Sequence, residues 1–450
     1  MDIKFYNTLS HKKEDFKPLV KGKVSIYACG PTVYDALHVG NYRTFVMDDI
    51  LRRTLEYNDL KVTLAMNITD VDDKTIRKSR EQGVPLKDIT LKYEQEFLEG
   101  LKSLHIKEPH KLLRASDHVD KMIALIEKLL EKEIAYKAND GIYIHIDKIN
   151  DYGALANLDK IKITRERIAN DEYDKDNPRD FTVWKFKTAE DGDVYWDAPF
   201  GTGRPGWHIE CSAMAMKIFG PTIDMHTGGN DLIFPHHTNE IAQSESATGK
   251  QYVRYWLHGG FMTMNDEKMA KSKGNIIKLD DLSAASISPL TFRYWLLTAN
   301  YRSPINFTLE AAKAAQTALI RLMNIVREYP EGGSIQPQYT ARFKSHLNDD
   351  LDTPGAIAVV WELLKDHQIS DADKRATILD FDKVLGFDLS SLPKSNKEEI
   401  PEEIRALAEA RELARKENDW AKADALRQEI VSRGYQVNDT EEGHEIRLVD

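Results

Sequence analysis

Cysteine is nearly absent from this chain: only Cys29 and Cys211 occur in 450 residues. At most one internal disulfide is possible, and a chain of this length gains little from a single bridge, which argues against a stapled secreted scaffold. No stretch approaches the ~18–20 uninterrupted apolar residues that a membrane-spanning helix needs. The amino-terminal MDIKFYNTLSHKKEDF carries no apolar signal core, so a cytoplasmic address and no membrane partner are expected. Basic residues are outnumbered, 62 Lys and Arg against 73 Asp and Glu, for a net charge of −11. That balance speaks against a protein that coats nucleic acid indiscriminately, while leaving room for local Lys/Arg patches on phosphate. Internal repeats and long low-complexity runs are also missing. So is the H-E-x-x-H spacing of zinc hydrolases.

What remains has the balance of a soluble globular protein, with 41% hydrophobic and 30% charged residues, and its length predicts two to four domains. Lys23–Cys29 (KVSIYAC) reads as a buried strand, followed by the Gly30-Pro31-Thr32 turn and a helical pattern from Asn41 to Tyr57. A second apolar strand, Lys61–Asn67 (KVTLAMN), completes a βαβ unit and predicts a parallel sheet. From about residue 119 to 200 the pattern changes to short helices, a hairpin near Gly141–Asp147 and charged loops, as in an insertion. Sheet-like segments resume at Thr222–His226 and Tyr252–His258, and helical periodicity takes over beyond Phe307. After the polar linker Ser390–Ile400, two helices (402–416 and 419–433) and two short strands (435–438 and 445–449) close the chain, with Gly434 placed to end the second helix.

Three groups of residues carry chemistry. In FPHHTNE, Pro235 suits the first position of a helix, which sets His236 and Glu240 four residues apart on one face. Such a pair can hold a metal, but it is also common on surface helices. Adding Cys29, at the carboxyl end of the first strand, and Cys211, in GWHIECSAM, gives two thiolates, an imidazole and a carboxylate, a donor set that suits zinc. Second, PTVYDALHVGN ends in His38 and Gly40-Asn41 at a helix start, where backbone amides can face a phosphate. Third, Glu267–Asn275 (EKMAKSKGN) gathers three lysines, a serine and a glycine in a loop able to clamp triphosphate charge. H-x-G-N and Lys-rich loops both arise by chance, so neither settles a function alone.

At these residues the chain resembles the class I aminoacyl-tRNA synthetases, and within them the cysteinyl-tRNA synthetase family. HVGN (38–41) is similar to the HIGH signature in its cysteinyl form, and KMAKS (268–272) to KMSKS. NITDVDDK (67–74), DFTVWK (180–185), RPGWHIECSAM (204–214) and GGNDLIFPHHTNEIAQSE (228–245) stand between them in the family's order, and the likeness runs on to the DWAKADALR segment near 420. The resemblance implies an α/β, Rossmann-like catalytic domain in two halves (1–118 and 201–306), a connective insertion (119–200), a helical tRNA-binding bundle (307–390) and an α+β anticodon-binding domain (391–450). It implies Cys29, Cys211, His236 and Glu240 as ligands of one Zn2+ per chain. His38, Asn41, Lys268 and Lys271 become the catalytic residues. Gly40, Asp231 and Ser272 join those four in binding ATP, which brings Mg2+. Thr69 and Trp207 line the cysteine pocket, and Arg415, Trp420 and Asp424 match the spacing of anticodon readers.

The partners implied are ATP, L-cysteine and cysteine tRNA, with a monomer expected. Zinc answers the selectivity problem, because shape alone separates such small side chains only ~10–200-fold, whereas a soft thiolate ligand has no serine counterpart at neutral pH. Three departures from the family pattern stand out: Ala270 for the middle Ser of KMSKS, Thr238 for Glu in HHENE, and Thr227 for a Gly in IHGGGxD. The alternatives are a paralogous ligase that joins cysteine to an amino-sugar, which needs no anticodon-reading tail, and an inactive RNA-binding homologue, which needs none of the retained catalytic residues.

Overall fold

The structure, a computed structural model, describes residues 2–158, 180–268, 276–392, 401–417, 419–433, 435–440 and 443–448. The chain divides into two units, residues 1–390 and 391–450.

The first unit is built on a five-stranded parallel sheet: β1 (Lys23–Ala28), β2 (Lys61–Ile68), β3 (Lys111–Arg114), β4 (Ile223–Gly229) and β5 (Val253–Gly259). Their spatial order is β5-β4-β1-β2-β3. Near-continuous apolar runs such as VTLAM and YWL suit strands covered on both faces. The topology reverses between β1 and β4, so a crevice opens beyond their carboxyl ends, where such sheets bind ligands. Both strands turn polar there, β1 into Cys29 and β4 through His226 and Thr227 into Gly228-Gly229.

Helix α1 (Val39–Tyr57) begins directly above this crevice and buries Val39, Phe45, Val46, Ile50, Leu51 and Leu55 along one side. Three arginines and an aspartate fix it. The Arg43 guanidinium donates to five backbone carbonyls, those of Gly260, Phe261, Asn300, Tyr301 and Ser303, and burial lowers its pKa to about 10. Near the middle of the helix, Asp49 accepts from Arg53 at 2.7 Å and from the fully buried Arg293 at 2.6 Å. Arg293 also donates to the carbonyls of Leu385 and Leu104.

Between β3 and β4 lies a four-stranded antiparallel sheet, ordered Ala135–Lys137, Gly141–Ile144, Phe181–Phe186, Gly203–Pro205. Its Ile142, Ile144, Val183 and Trp184 share a continuous core with β1, β4 and helix α2 (Trp207–Phe219). Four helices follow the sheet domain: Leu309–Glu328, Pro337–Asn348, Thr353–Lys365 and Asp371–Leu385. Three of them start where the sequence supplies a side-chain cap: Thr308, Asp352 and Ser370 each accept a backbone N–H of the first turn.

The second unit pairs helices Glu402–Lys416 and Trp420–Ser432 with the antiparallel strands Tyr435–Thr440 and Gly443–Leu448. Ile404, Ala408, Ile430 and Val437 form its core. The fold class read from the sequence is therefore the one observed.

Removing one partner of a buried ion pair strands the other charge, at a cost of about 3–5 kcal/mol. Arg293→Leu is expected to lower the unfolding free energy of the 1–390 unit, read from urea denaturation, by that much. Arg342→Leu, which breaks an exposed pair with Glu362, is expected to shift it by less than about 1 kcal/mol.

Candidate metal centre and nucleotide site

The four residues expected to ligate a metal converge. Cys29 caps β1, where its N–H bonds the Thr227 carbonyl at 3.1 Å. Cys211 lies one turn into α2, while His236 and Glu240 come from the turn before α3 (Thr238–Thr248) and its first turn. All four are buried, and one donor atom from each lies within 4.8 Å of the others. The two sulfurs are 3.8 Å apart and His236 Nε2 is 3.1 Å from Glu240 Oε1. A tetrahedral ion with bonds of about 2.3 Å to two thiolates requires the sulfurs about 3.8 Å apart. Glu240 Oε2 is held by His226 Nε2 at 3.0 Å and by the Tyr252 hydroxyl at 3.1 Å. Glu240 Oε1 is left facing the His236 ring. The donor set and its spacing fit a divalent ion that takes soft and borderline ligands.

One local feature differs from the sequence expectation. Pro235 does not open a regular helix. It follows a cis peptide bond inside the turn Ile233–His237, and the α-helix starts at Thr238. A residue before proline is driven to extended backbone, and Phe234, at φ −138° and ψ 128°, cannot belong to the helix. His236 and Glu240 meet nonetheless. Thr238, the departure from HHENE, donates to the Ile233 carbonyl at 2.7 Å and so secures this turn rather than facing the metal set.

Sequence reasoning missed the histidines around the cluster. His226 and His237 form a second, overlapping candidate set with Cys29 and Glu240. His237 Nε2 is 3.3 Å from Cys29 Sγ, and its Nδ1 is 2.7 Å from His258 Nε2, whose Nδ1 reaches the Thr8 hydroxyl at 2.7 Å. His208 Nδ1 stands 3.0 Å from His236 Nδ1, fixing that ring from behind. The set with both cysteines offers two thiolates instead of one, while His226 is already engaged by Glu240 Oε2. The tandem His236-His237 was the one available signal; strand-end histidines such as His226 and His258 read in sequence as core residues.

Electrostatics tie the four groups together: Cys211 and Glu240 are drawn to their charged forms beside a protonated His236, whose proton a metal would displace, while burial and Cys211 push the Cys29 thiol well up. Burial disfavours a Cys211 thiolate, but the Cys29 hydrogen bond and the His236 ring outweigh it and bring the thiol down to about 6. Burial likewise opposes the charged His236, yet Cys211 and Glu240 raise it to about 10. Glu240, desolvated but facing His226 and His236, falls to about 2.

Trp207, at the first turn of α2, stacks on the His236 ring with centroids 4.3 Å apart. Thr69, just beyond β2, is buried and donates to Glu210 beside Cys211. His38 caps α1, with its backbone N–H bonded to Asn41 Oδ1 at 3.2 Å, and Gly40 is half-buried in the first turn. The Val39 N–H donates to the Ile277 carbonyl at 2.9 Å, so the chain returns from the KMAKS segment directly onto the HVGN motif. On the entry side, Glu267–Lys268 pairs with Met262–Met264. Lys271, Ser272 and Ala270 lie outside the described residues, and of Lys268 only the backbone is described. Asp231 is exposed on the turn after β4, with its Oδ1 2.4 Å from the point where a Cβ on Gly229 would stand.

Thr227 is fully buried on β4, near the Asp48 carboxyl of α1. Burial raises the Asp48 carboxyl to about 7, against the Thr227 hydroxyl and the His226 charge. In the second unit, the Arg415 guanidinium sits 5.9 Å from the Trp420 ring centre, and both Trp420 and Asp424 are exposed.

Comparison with known proteins agrees with this geometry. The family described as "tRNA synthetases class I (C) catalytic domain" matches residues 15–317, and "Cysteinyl-tRNA ligase anticodon binding domain" matches residues 397–447. A cysteine–tRNA ligase of Methanosarcina mazei is 44% identical, over 99% of each chain, and one of Brachyspira hyodysenteriae is 40% identical, over 98% of each. Among solved structures, a methionyl-tRNA synthetase of Mycobacterium tuberculosis in complex with methionyl-adenylate superposes with a TM-score of 0.56 at 14% identity, over 81% of this chain and 89% of that one. A leucyl-tRNA synthetase of Agrobacterium radiobacter gives 0.57 at 10% identity, over 85% and 88%. These distant likenesses speak for the fold; with the two family matches and the full-length relatives, they place this chain in the cysteinyl-tRNA synthetase family of class I aminoacyl-tRNA synthetases.

Proposed function

We propose that this protein activates L-cysteine with ATP and transfers it to the 3′-terminal ribose of cysteine tRNA, in the cytoplasm. The observation that carries the proposal is the buried convergence of Cys29, Cys211, His236 and Glu240 beside Trp207 and Thr69. Zinc held by those four supplies a soft Lewis acid for the substrate sulfur, which a serine hydroxyl cannot match at neutral pH. Trp207 would wall the amino-acid pocket over His236, and Thr69 would offer its hydroxyl from the opposite side.

The chemistry needs no protein nucleophile. The cysteine carboxylate attacks the α-phosphorus of ATP and pyrophosphate departs; the ribose hydroxyl then attacks the acyl carbon of the adenylate, and AMP leaves. The chain's contribution is positioning and charge neutralisation. His38, Asn41 and the first-turn amides of α1 would face the phosphates, with Gly40 allowing close approach. Lys268, Lys271 and Ser272 would clamp the triphosphate, with its Mg2+, from the segment that enters at Glu267–Lys268 and leaves at Ile277. Asp231 would bond the ribose. Arg415, Trp420 and Asp424, on one face of the second unit's helices, would read the anticodon. The match of residues 397–447 to an anticodon-binding domain favours a tRNA acceptor over an amino-sugar.

The test is cysteine-dependent ATP–pyrophosphate exchange followed by charging of cysteine tRNA; exchange without charging would transfer the assignment to an amino-sugar ligase. Purified protein is expected to hold about one zinc per chain. His236→Ala should release most of it, with cysteine-over-serine discrimination in exchange collapsing in parallel; retained zinc would refute the ligand assignment. Lys271→Ala should slow adenylate formation about 10²–10³-fold while cysteine binding changes little, and equal losses in both would remove Lys271 from the transition state. Trp420→Ala should weaken kcat/KM for tRNA by about 10–100-fold, the scale of one lost base stack, and leave exchange unchanged.

A further inference from the structure

A line of hydrogen bonds runs beneath the amino-acid pocket and joins the two cysteine-bearing segments. It starts at Gly30, next to Cys29, whose N–H donates to Asn67 Oδ1 at 2.8 Å. That bond fixes the Asn67 amide, because a backbone N–H can meet only its oxygen. The Asn67 amino group is thereby turned to Thr69 and donates to its hydroxyl at 3.2 Å. The Thr69 hydroxyl in turn donates to Glu210 Oε2 at 2.7 Å, and Glu210 precedes Cys211. Asn67, Thr69 and Glu210 are exposed by 2%, 1% and 0%. The line is also steric: a Cβ on Gly30 would stand 1.7 Å from the Asn67 carbonyl oxygen, so β1 and β2 can approach this closely only with glycine there.

Glu210 is the unexpected member. A fully buried carboxylate is costly unless it is paired, yet Glu210 forms no ion pair among the described residues, and its Oε1 has no hydrogen-bond partner among them. Thr69 gives its only direct side-chain hydrogen bond among the described residues. A leucine or methionine of similar volume would fill the same space on α2 without that desolvation, so packing alone does not account for a carboxylate here. The bond to Thr69 does. An isolated threonine hydroxyl samples several rotamers and rotor settings; one donor from Asn67 and one acceptor on Glu210, arriving from different segments, hold it to one.

We propose that Glu210 and Asn67 are positioning residues for amino-acid activation. They fix the Thr69 hydroxyl against bound cysteine and keep it in register with Cys29 and Cys211, so that the pocket's polar contact and its metal ligands move as one body. The inference rests on the functional reading above, in which Thr69 lines the cysteine pocket, and adds two residues that act through it.

The test is ATP–pyrophosphate exchange on the full chain, with zinc content measured on every variant. Glu210→Ala is expected to lower kcat/KM for cysteine about 10–100-fold, the scale of a misplaced contact group, with KM for ATP and zinc content unchanged. Glu210→Gln keeps both volume and an acceptor for Thr69 and should stay within about threefold of wild type. Thr69→Val should match the loss in Glu210→Ala, and the double variant should lose no more than the worse single one, because both changes remove the same bond. Additive losses in the double variant overturn the inference, and so does zinc loss that tracks activity, since Glu210 would then only support Cys211. Should Glu210→Ala fail to fold, the Asn67→Ala and Thr69→Val pair reads the same coupling with the same two outcomes. A wild-type protein without cysteine-dependent exchange would refute the functional reading itself; a wild type that exchanges, beside additive losses, refutes the positioning role alone.

Discussion

Desolvation of ionisable groups at the centre of the parallel sheet is the constraint on which this structure turns. Two thiols, several imidazoles and two glutamates are shut away from water where β1 and β4 diverge. Groups of that kind are tolerated inside a protein only when each finds a partner. The surrounding architecture is largely the supply of those partners. His226 and Tyr252 hold one oxygen of Glu240, His208 backs His236, and His258, itself held by Thr8, bonds His237. Even the amino-terminal segment is drawn in through Thr8.

Much of the scaffold was legible beforehand for simple reasons. Long apolar strands separated by capped, periodic helices announce a parallel sheet, and β1, α1 and β2 lie within two residues of where the sequence puts them. Cys29, Cys211, His236 and Glu240 were found because thiolates are rare here and their chemistry is distinctive. The ring of supporting histidines was not found, since a histidine inside an apolar strand carries no spacing signature. The displaced start of α3 was missed for a related reason: Pro235 is compatible with a first helical position, but its effect on Phe234 ends the regular backbone one turn too early. The network through Asn67 and Glu210 depends on three segments meeting, and no one-dimensional pattern encodes that meeting.

The departures from the family pattern become intelligible once placed. Thr238 spends its hydroxyl on the carbonyl of Ile233, and Thr227 is fully buried near the Asp48 carboxyl, where β4 packs on α1. Close approach at the end of β4 is kept by Gly228 and Gly229, where added Cβ atoms would meet the His237 ring and Asp231. Substitution has altered how the walls are fastened and left the opening between them.

Helix α1 is a rod of 19 residues, about 28 Å long at 1.5 Å per residue, and it is clamped at both ends. Arg43 grips five carbonyls close to the HVGN end, while at the far end Arg53 donates to the Lys383 carbonyl and the Tyr57 hydroxyl to Asp380 at 2.5 Å. Its far anchor is the helix Asp371–Leu385, in the all-helical part of the same unit. A stiff lever fastened in this way has little freedom to bend, so a tilt of the helix Asp371–Leu385 against the sheet would be carried along it to His38 and Asn41. Between the two ends of this unit no soft relay is needed, only the rigidity of one helix.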